Sequence, residues 1–167
     1  HLDHYTIHPV TDADVPALQG LLEADPAYSL IVDGVVPGPN AAREMLDEEL
    51  PPGFAPERRH MYLVERGDGP AALIELLDGF PEPDIWYLGF LFVAPWERNS
   101  GLGRKLLAAV YAHVAAKGGR AVRLGVMDAN VDARRLYDRE GFAFVKAATR
   151  PFRDGRPASL SVLQRPV

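Results

Sequence analysis

The chain has 167 residues, 47% of them apolar, and a net charge of −5. That length and apolar share suit one soluble domain with a real core, and residues 1–167 are expected to form a single domain. The lack of cysteine excludes disulfides, thiolate metal sites and a cysteine nucleophile, while the negative charge and the absence of a span-length apolar run argue against nucleic acid and membrane as partners. No secretory leader is visible, and a cytoplasmic protein is expected.

Tyr5 to Val10 alternates and reads as a first strand. Thr11-Asp-Ala-Asp14 resembles a capping box with Asp in place of Glu. The helix it opens carries Val15, Leu18, Leu21 and Leu22 on one face and is expected to end near Asp25-Pro26. His4 and His8 would share one side of the strand, near His1. No acidic or thiolate ligand accompanies them, so no metal is expected. Tyr28 to Gly38 reads as irregular. Asn40 can cap a second helix, Ala41 to Leu50, which Pro51-Pro52 ends. Its Asp47-Glu48-Glu49 run is either a solvated face or an acidic rim that attracts an amine. Met61 to Arg66 and Ala71 to Leu77 read as a hairpin, with Gly67-Asp-Gly-Pro70 as the turn.

Ile85 to Val93 is an apolar run, expected as a strand buried on both faces. Pro95 stops it, because proline offers no N–H to a ladder. A polar turn with Gly101 and Gly103 follows, and an amphipathic helix begins at Leu102. Such a turn aims free N–H groups and the positive end of a helix dipole at one point, a site suited to phosphate. Three spacings compete for it. The P-loop pattern fails, since Arg104, Lys105 and Leu106 follow Gly103 with no hydroxyl for magnesium. The dinucleotide pattern fails, since Leu106 stands where its third glycine belongs. Arg98-x-x-Gly101-x-Gly103, preceded by Val93-x-Pro95, is the third.

The helix runs to about Lys117, with Leu102, Leu106, Val110 and Val114 on its core face and Gly118-Gly119 at its end. His113 on it reads as a half-buried neutral histidine. Ala121 to Met127 is a further strand. Asp128 or Asn130 starts a short helix, with Gly141 just past its end. Phe142 to Ala147 and Ser159 to Gln164 are the last strands, joined through Asp154-Gly155.

The Arg98-x-x-Gly101-x-Gly103 signature resembles the acetyl-CoA-binding motif of the GNAT family of N-acetyltransferases. Asn130-x-x-Ala133-x-x-Leu136-Tyr137-x-x-x-Gly141-Phe142 is similar to a second motif of that family, in the right order. The resemblance covers about Met61 to Val145; the first sixty residues match only in layout. It implies a mixed α/β fold: a mostly antiparallel sheet of six or seven strands, flanked by about four helices, with a splay between two central parallel strands, Ile85–Val93 and Ala121–Met127. Backbone groups of Leu91, Phe92 and Val93 would bond the pantetheine arm and the acetyl carbonyl. N–H groups across Arg98, Asn99, Ser100, Gly101, Leu102, Gly103 and Arg104 would hold the pyrophosphate. Asn130 would contact or shape the pantetheine channel, and Tyr137 would lie near the sulfur.

Acetyl transfer to an amine passes through an oxyanion and releases a thiolate. A strand-edge N–H can stabilise the first, and a phenol can assist the second. Tyr137 is therefore either a catalytic acid or a core tyrosine on an amphipathic helix. Many family members place a carboxylate four residues before the position of Val93; here Gly89 stands there. Glu75, mid-strand among apolar residues, is the best substitute base, unless it faces solvent; Asp84 is a weaker one. The expected function is acetyl-CoA-dependent acetylation of a primary amine, on a small molecule or peptide, by direct attack in a ternary complex and without a metal. The alternatives are a non-catalytic acyl-CoA-binding sensor and a nucleotide or phosphosugar binder. A homodimer through the last strands is left open.

Overall fold

The computed structural model describes residues 2–67 and 69–167. His1 and Asp68 lie outside the described residues, and with them one of the three clustered histidines and the middle of the 67–70 turn. The strands are β1 (Thr6–Pro9), β2 (Arg59–Arg66), β3 (Gly69–Asp78), β4 (Ile85–Val93), β5 (Ala121–Met127), β6 (Ala143–Pro151) and β7 (Pro157–Pro166). They form one seven-stranded sheet in the order β1-β2-β3-β4-β5-β7-β6. Every neighbouring pair is antiparallel except β4 and β5. The helices are α1 (Val15–Glu23), α2 (Pro26–Asp33), α3 (Ala41–Leu46), α4 (Leu102–Ala116) and α5 (Val131–Arg139). None is long and apolar enough to cross a membrane.

Strand alternation sends side chains to two cores. On one face Val64, Ile74, Trp86, Leu88, Val122 and Leu124 meet Leu102, Leu106, Val110 and Val114 of α4 and Tyr137 of α5. On the other, Leu63, Leu73 and Phe92 meet Leu18, Leu21, Ala41 and Ala42 of α1 and α3. Each fully buried leucine contributes roughly 1.5–3 kcal/mol. A third, smaller cluster, Met127, Leu160 and Val162, packs against Ile31 and Val32 of α2 and Phe152 of the β6–β7 hairpin.

The structure differs from the sequence reading in the acceptor half. Tyr28 to Gly38, expected as irregular, begins inside α2. Asp25-Pro26 ends one helix and also starts the next. The Asp25 carboxylate accepts the Tyr28 N–H (3.0 Å), Pro26 takes the first helical position, and Gly34 closes the helix with φ +78°. The helix expected to reach Leu50 stops at Leu46, and the Asn40 side chain makes no capping bond. β6 runs on to Pro151, so its hairpin with β7 is longer than expected.

β4 and β5 pair only at Ile85–Ala121, Trp86–Val122 and Tyr87–Arg123. β4 stays bonded to β3 as far as Val93, and β5 to β7 as far as Met127. The two parallel strands therefore part beyond Tyr87, opening a gap in the middle of the sheet. The parting coincides with a bulge: Phe90 and Leu88 face the consecutive residues Glu75 and Leu76, leaving Gly89 as the extra residue. A bulge bends and twists its strand.

Candidate active site

The gap opens into a cleft of about 1180 Å³ that runs from the start of α4, between β4 and β5, to α2, α3 and the β6–β7 hairpin. Of the predicted site residues, all but Ser100 and the weaker base candidate Asp84 line it. Ser100 instead donates its hydroxyl to the Glu97 carbonyl (2.5 Å) and tightens the turn.

The turn is braced from below. Glu97 is buried; its carboxylate accepts the Tyr5 hydroxyl (2.7 Å) and lies 3.6 Å from Arg66. Arg98 is a strut, since its side chain is engaged with protein. It lies 2.7 Å from the Asp25 carboxylate, donates to the Val93 carbonyl (3.1 Å) and covers the Phe92 ring. Burial alone would raise the Asp25 pKa, but the Tyr28 N–H and the Arg98 guanidinium pull it below its usual value. Gly101, at φ +83°, is the N-cap of α4 and offers no side chain. The first helical bond to close is Lys105 N–H to Gly101 C=O (3.1 Å), which leaves the N–H groups of Leu102, Gly103 and Arg104 without helical partners. A Cβ at Gly101 would meet nothing within 4 Å. One at Gly103 would meet only Leu136 and Val93, at 3.8 and 3.9 Å. The fold itself thus leaves this cradle open for an anion.

Beyond the cradle, Leu91, Phe92 and Val93 bond β3 on one side, and their other edge faces the gap. The Phe92 side chain packs into the core. Asn130 caps α5, its side chain accepting the Ala133 N–H (3.3 Å). Tyr137 is buried edge-on against Phe142. Burial pushes its pKa up, helped by Tyr111, so the phenol stays protonated at neutral pH.

Glu75 is turned into the cleft and is neither deeply buried nor out in solvent. Its Oε2 accepts from Arg59 Nε (2.7 Å), and its Oε1 occupies the space where a side chain on Gly89 would begin. Arg59 also donates to the carbonyls of Leu46 (2.9 Å) and Met45 (2.8 Å), the last turn of α3. Asp84 is remote, at the paired end of β4, where it meets Arg120. Among the other expected features, His8 pairs with Glu65 (3.2 Å), and burial lowers the His113 pKa.

Sequence reasoning missed several lining residues at the acceptor end: Tyr28, Asp33, Arg59, Arg150 and Arg153. Burial raises the pKa of Asp33; burial, then the charge of Glu75, raises that of Glu48. The hairpin is latched over α2: Arg150 donates to Val32 O (2.7 Å), the Arg153 N–H to Asp33 O (3.1 Å) and Arg156 to Gly34 O (3.2 Å). Arg153 also reaches Glu44 on α3 (2.6 Å). Only the Asp47-Glu48-Glu49 run carried a legible signal there.

A search of curated proteins finds no match to the chain. Solved structures resemble it along its length. An acetyltransferase from Thermus thermophilus is 26% identical, with a TM-score of 0.78 over 100% of this chain and 99% of that one. The ribosomal-protein-S18-alanine N-acetyltransferase from Escherichia coli shares the fold at 21% identity, with a TM-score of 0.72 over 98% and 94%. So does a spermidine N-acetyltransferase from Vibrio cholerae, solved with CoA and spermine, at 15% identity and a TM-score of 0.74 over 98% and 96%. The sequence model of the acetyltransferase (GNAT) family matches residues 27–142, well over half of the chain. The chain belongs to that family and is an N-acetyltransferase.

Proposed function

We propose that the chain acts as one acetyltransferase domain that takes acetyl-CoA as donor and passes the acetyl group directly to a primary amine. The observation that supports this most is the continuity of one cleft, from the open cradle at the start of α4 through the gap between β4 and β5 to an acceptor end lined by charged side chains. The cradle fits a pyrophosphate: free N–H groups converge at a helix N-terminus, and no Cβ blocks their approach. The gap fits an extended pantetheine arm, with the free edge of Leu91, Phe92 and Val93 along it.

The amine lone pair forms the C–N bond while the carbonyl π electrons move onto oxygen, where a strand-edge N–H steadies them. Glu75 takes the proton from nitrogen, directly or through a water. The oxyanion collapses, the C–S bond breaks, and its electron pair leaves on sulfur. Tyr137 gives that sulfur a proton and regains one from solvent, and Glu75 releases its proton to solvent, which restores both groups. With no cysteine in the chain, a thioester-linked acyl-enzyme has no carrier.

The test is thiol release from acetyl-CoA with a panel of amines: spermidine, free amino acids and a peptide that begins with alanine. Turnover with at least one amine, and no acetylated protein by intact mass when amine is omitted, is expected. Binding of acetyl-CoA without turnover on any amine would point instead to a sensor module. No binding at all would overturn the reading.

A further inference from the structure

Glu75 stands on a different strand from Gly89, yet the two share one point in space. A Cβ on Gly89 would collide with Glu75 Oε1 and would lie 3.2 Å from its carboxyl carbon; Glu75 supplies all three of its nearest neighbours. The bulge at Gly89 therefore makes room for a carboxylate delivered from β3. That point lies just beyond Tyr87, where β4 leaves β5.

A glutamate side chain has three rotatable bonds and does not stay over a glycine unaided. Arg59 supplies the restraint. Its Nε engages Oε2 of Glu75, and its two terminal nitrogens engage the Leu46 and Met45 carbonyls. Three bonds in three directions fix the guanidinium, which is almost buried, with 11% side-chain exposure. Those bonds leave Oε1 over Gly89 with no protein donor on it among the described residues.

We infer that Arg59 is a positioning residue: it holds one oxygen of Glu75 so that the other is presented to the acceptor nitrogen through the space left by Gly89, and it ties that carboxylate to the end of α3. Arg59 does not touch the reacting atoms. It acts through Glu75, and it makes the α3 wall of the acceptor end move with the proton acceptor. This inference rests on the reading that Glu75 takes the proton.

The experiment is a double-mutant cycle on kcat, read by thiol release with acetyl-CoA and the best amine of the panel. Glu75→Gln alone tests the underlying reading; a variant as active as wild type sinks that reading whatever Arg59 does. Arg59→Met should lower kcat by on the order of 10-fold or more, with KM for acetyl-CoA within about twofold. Added to Glu75→Gln, it should lower kcat by less than about twofold. Arg59→Lys should recover part of the loss. Equal losses in both backgrounds, or a KM rise with kcat unchanged, would show Arg59 to be merely structural and overturn the inference. A readout independent of turnover is the Arg59 Nε–H NMR signal in the intact protein. A bond to carboxylate is expected to shift it downfield and slow its exchange, and Glu75→Gln should reverse both. A signal indifferent to Glu75→Gln overturns the inference equally.

Discussion

Replacing Gly89 by alanine adds one methyl group at the point where two strands deliver the candidate base. The backbone there is not left-handed, so alanine brings no conformational strain. Its Cβ would lie 3.2 Å from the Glu75 carboxyl carbon and closer still to Oε1. Comfortable carbon contacts start near roughly 3.5 Å, so the carboxylate must retreat by about 1 Å at its tip. Glu75 is the end of a flexible chain and can retreat without unfolding anything. Exchanging glycine for alanine in a strand adds at most about 1 kcal/mol of stability. The retreat pulls Oε2 away from its 2.7 Å contact with Arg59 and moves Oε1 off its line to the acceptor. A displacement of about 1 Å in a reacting group can lower the rate about 10²-fold. Steady-state thiol release and thermal melting, measured together, are the assay. The expected result is kcat down by about 10²-fold with melting unchanged or slightly higher. In a Glu75→Gly background the same alanine has room and should change little further. Full turnover by Gly89→Ala, with normal melting, would show that the carboxylate does not work from this position.

Tyr137→Phe should lower kcat by about 10²-fold and leave acetyl-CoA affinity unchanged, as measured by steady-state kinetics and titration calorimetry. Asp25→Ala removes both the cap of α2 and the anchor of Arg98. It should lower stability by about 1–2 kcal/mol in chemical denaturation at neutral pH. Asp25 has a depressed pKa in the folded state, so its stabilisation is present above the unfolded value and lost as pH falls through the folded one; the gap between variant and wild type should close in acid. Glu48 has the opposite sign. Glu48 stands at the surface; partial desolvation of its carboxyl and the charge of Glu75 raise its pKa, so the folded state holds the proton somewhat more tightly, and that small stabilisation fades as pH rises through the raised value. Glu48→Gln should therefore melt slightly higher than wild type at neutral pH and lose that advantage in acid.

What could be read from the sequence follows how local the cause is. Ile85–Val93 and Ala121–Met127 were predicted with the bounds observed, because each is an apolar run closed by a proline turn or a loop. Gly141 follows the end of α5 as predicted, and of the two starts the sequence offered, Asp128 or Asn130, the cap is Asn130, since capping is a matter of a few neighbouring residues. The glycine turn was legible for the same reason. α2 was not: Asp-Pro reads equally as a stop and a start, and only the Tyr28 N–H on Asp25 decides it. Whether Glu75 faces the cleft or solvent depended on the bulge at Gly89, which exists only in the pairing of β3 with β4. Arg59, Asp33 and Arg150 reach the acceptor end through contacts across long sequence separations, and no local pattern announces them.

The cradle at the start of α4 is tested most directly by titrating acetyl-CoA into wild type and Gly103→Ala, followed by calorimetry. The protein itself leaves ordinary contact distance around a Cβ at that position, 3.8 Å to Leu136 and 3.9 Å to Val93, and alanine favours the helix over glycine, so the variant should melt at or slightly above wild type. The expected result is saturable one-site binding to wild type and an affinity at least about tenfold weaker in the variant, as the methyl group fills the pyrophosphate cradle. No saturable binding to wild type, or equal affinity in both proteins, would contradict it.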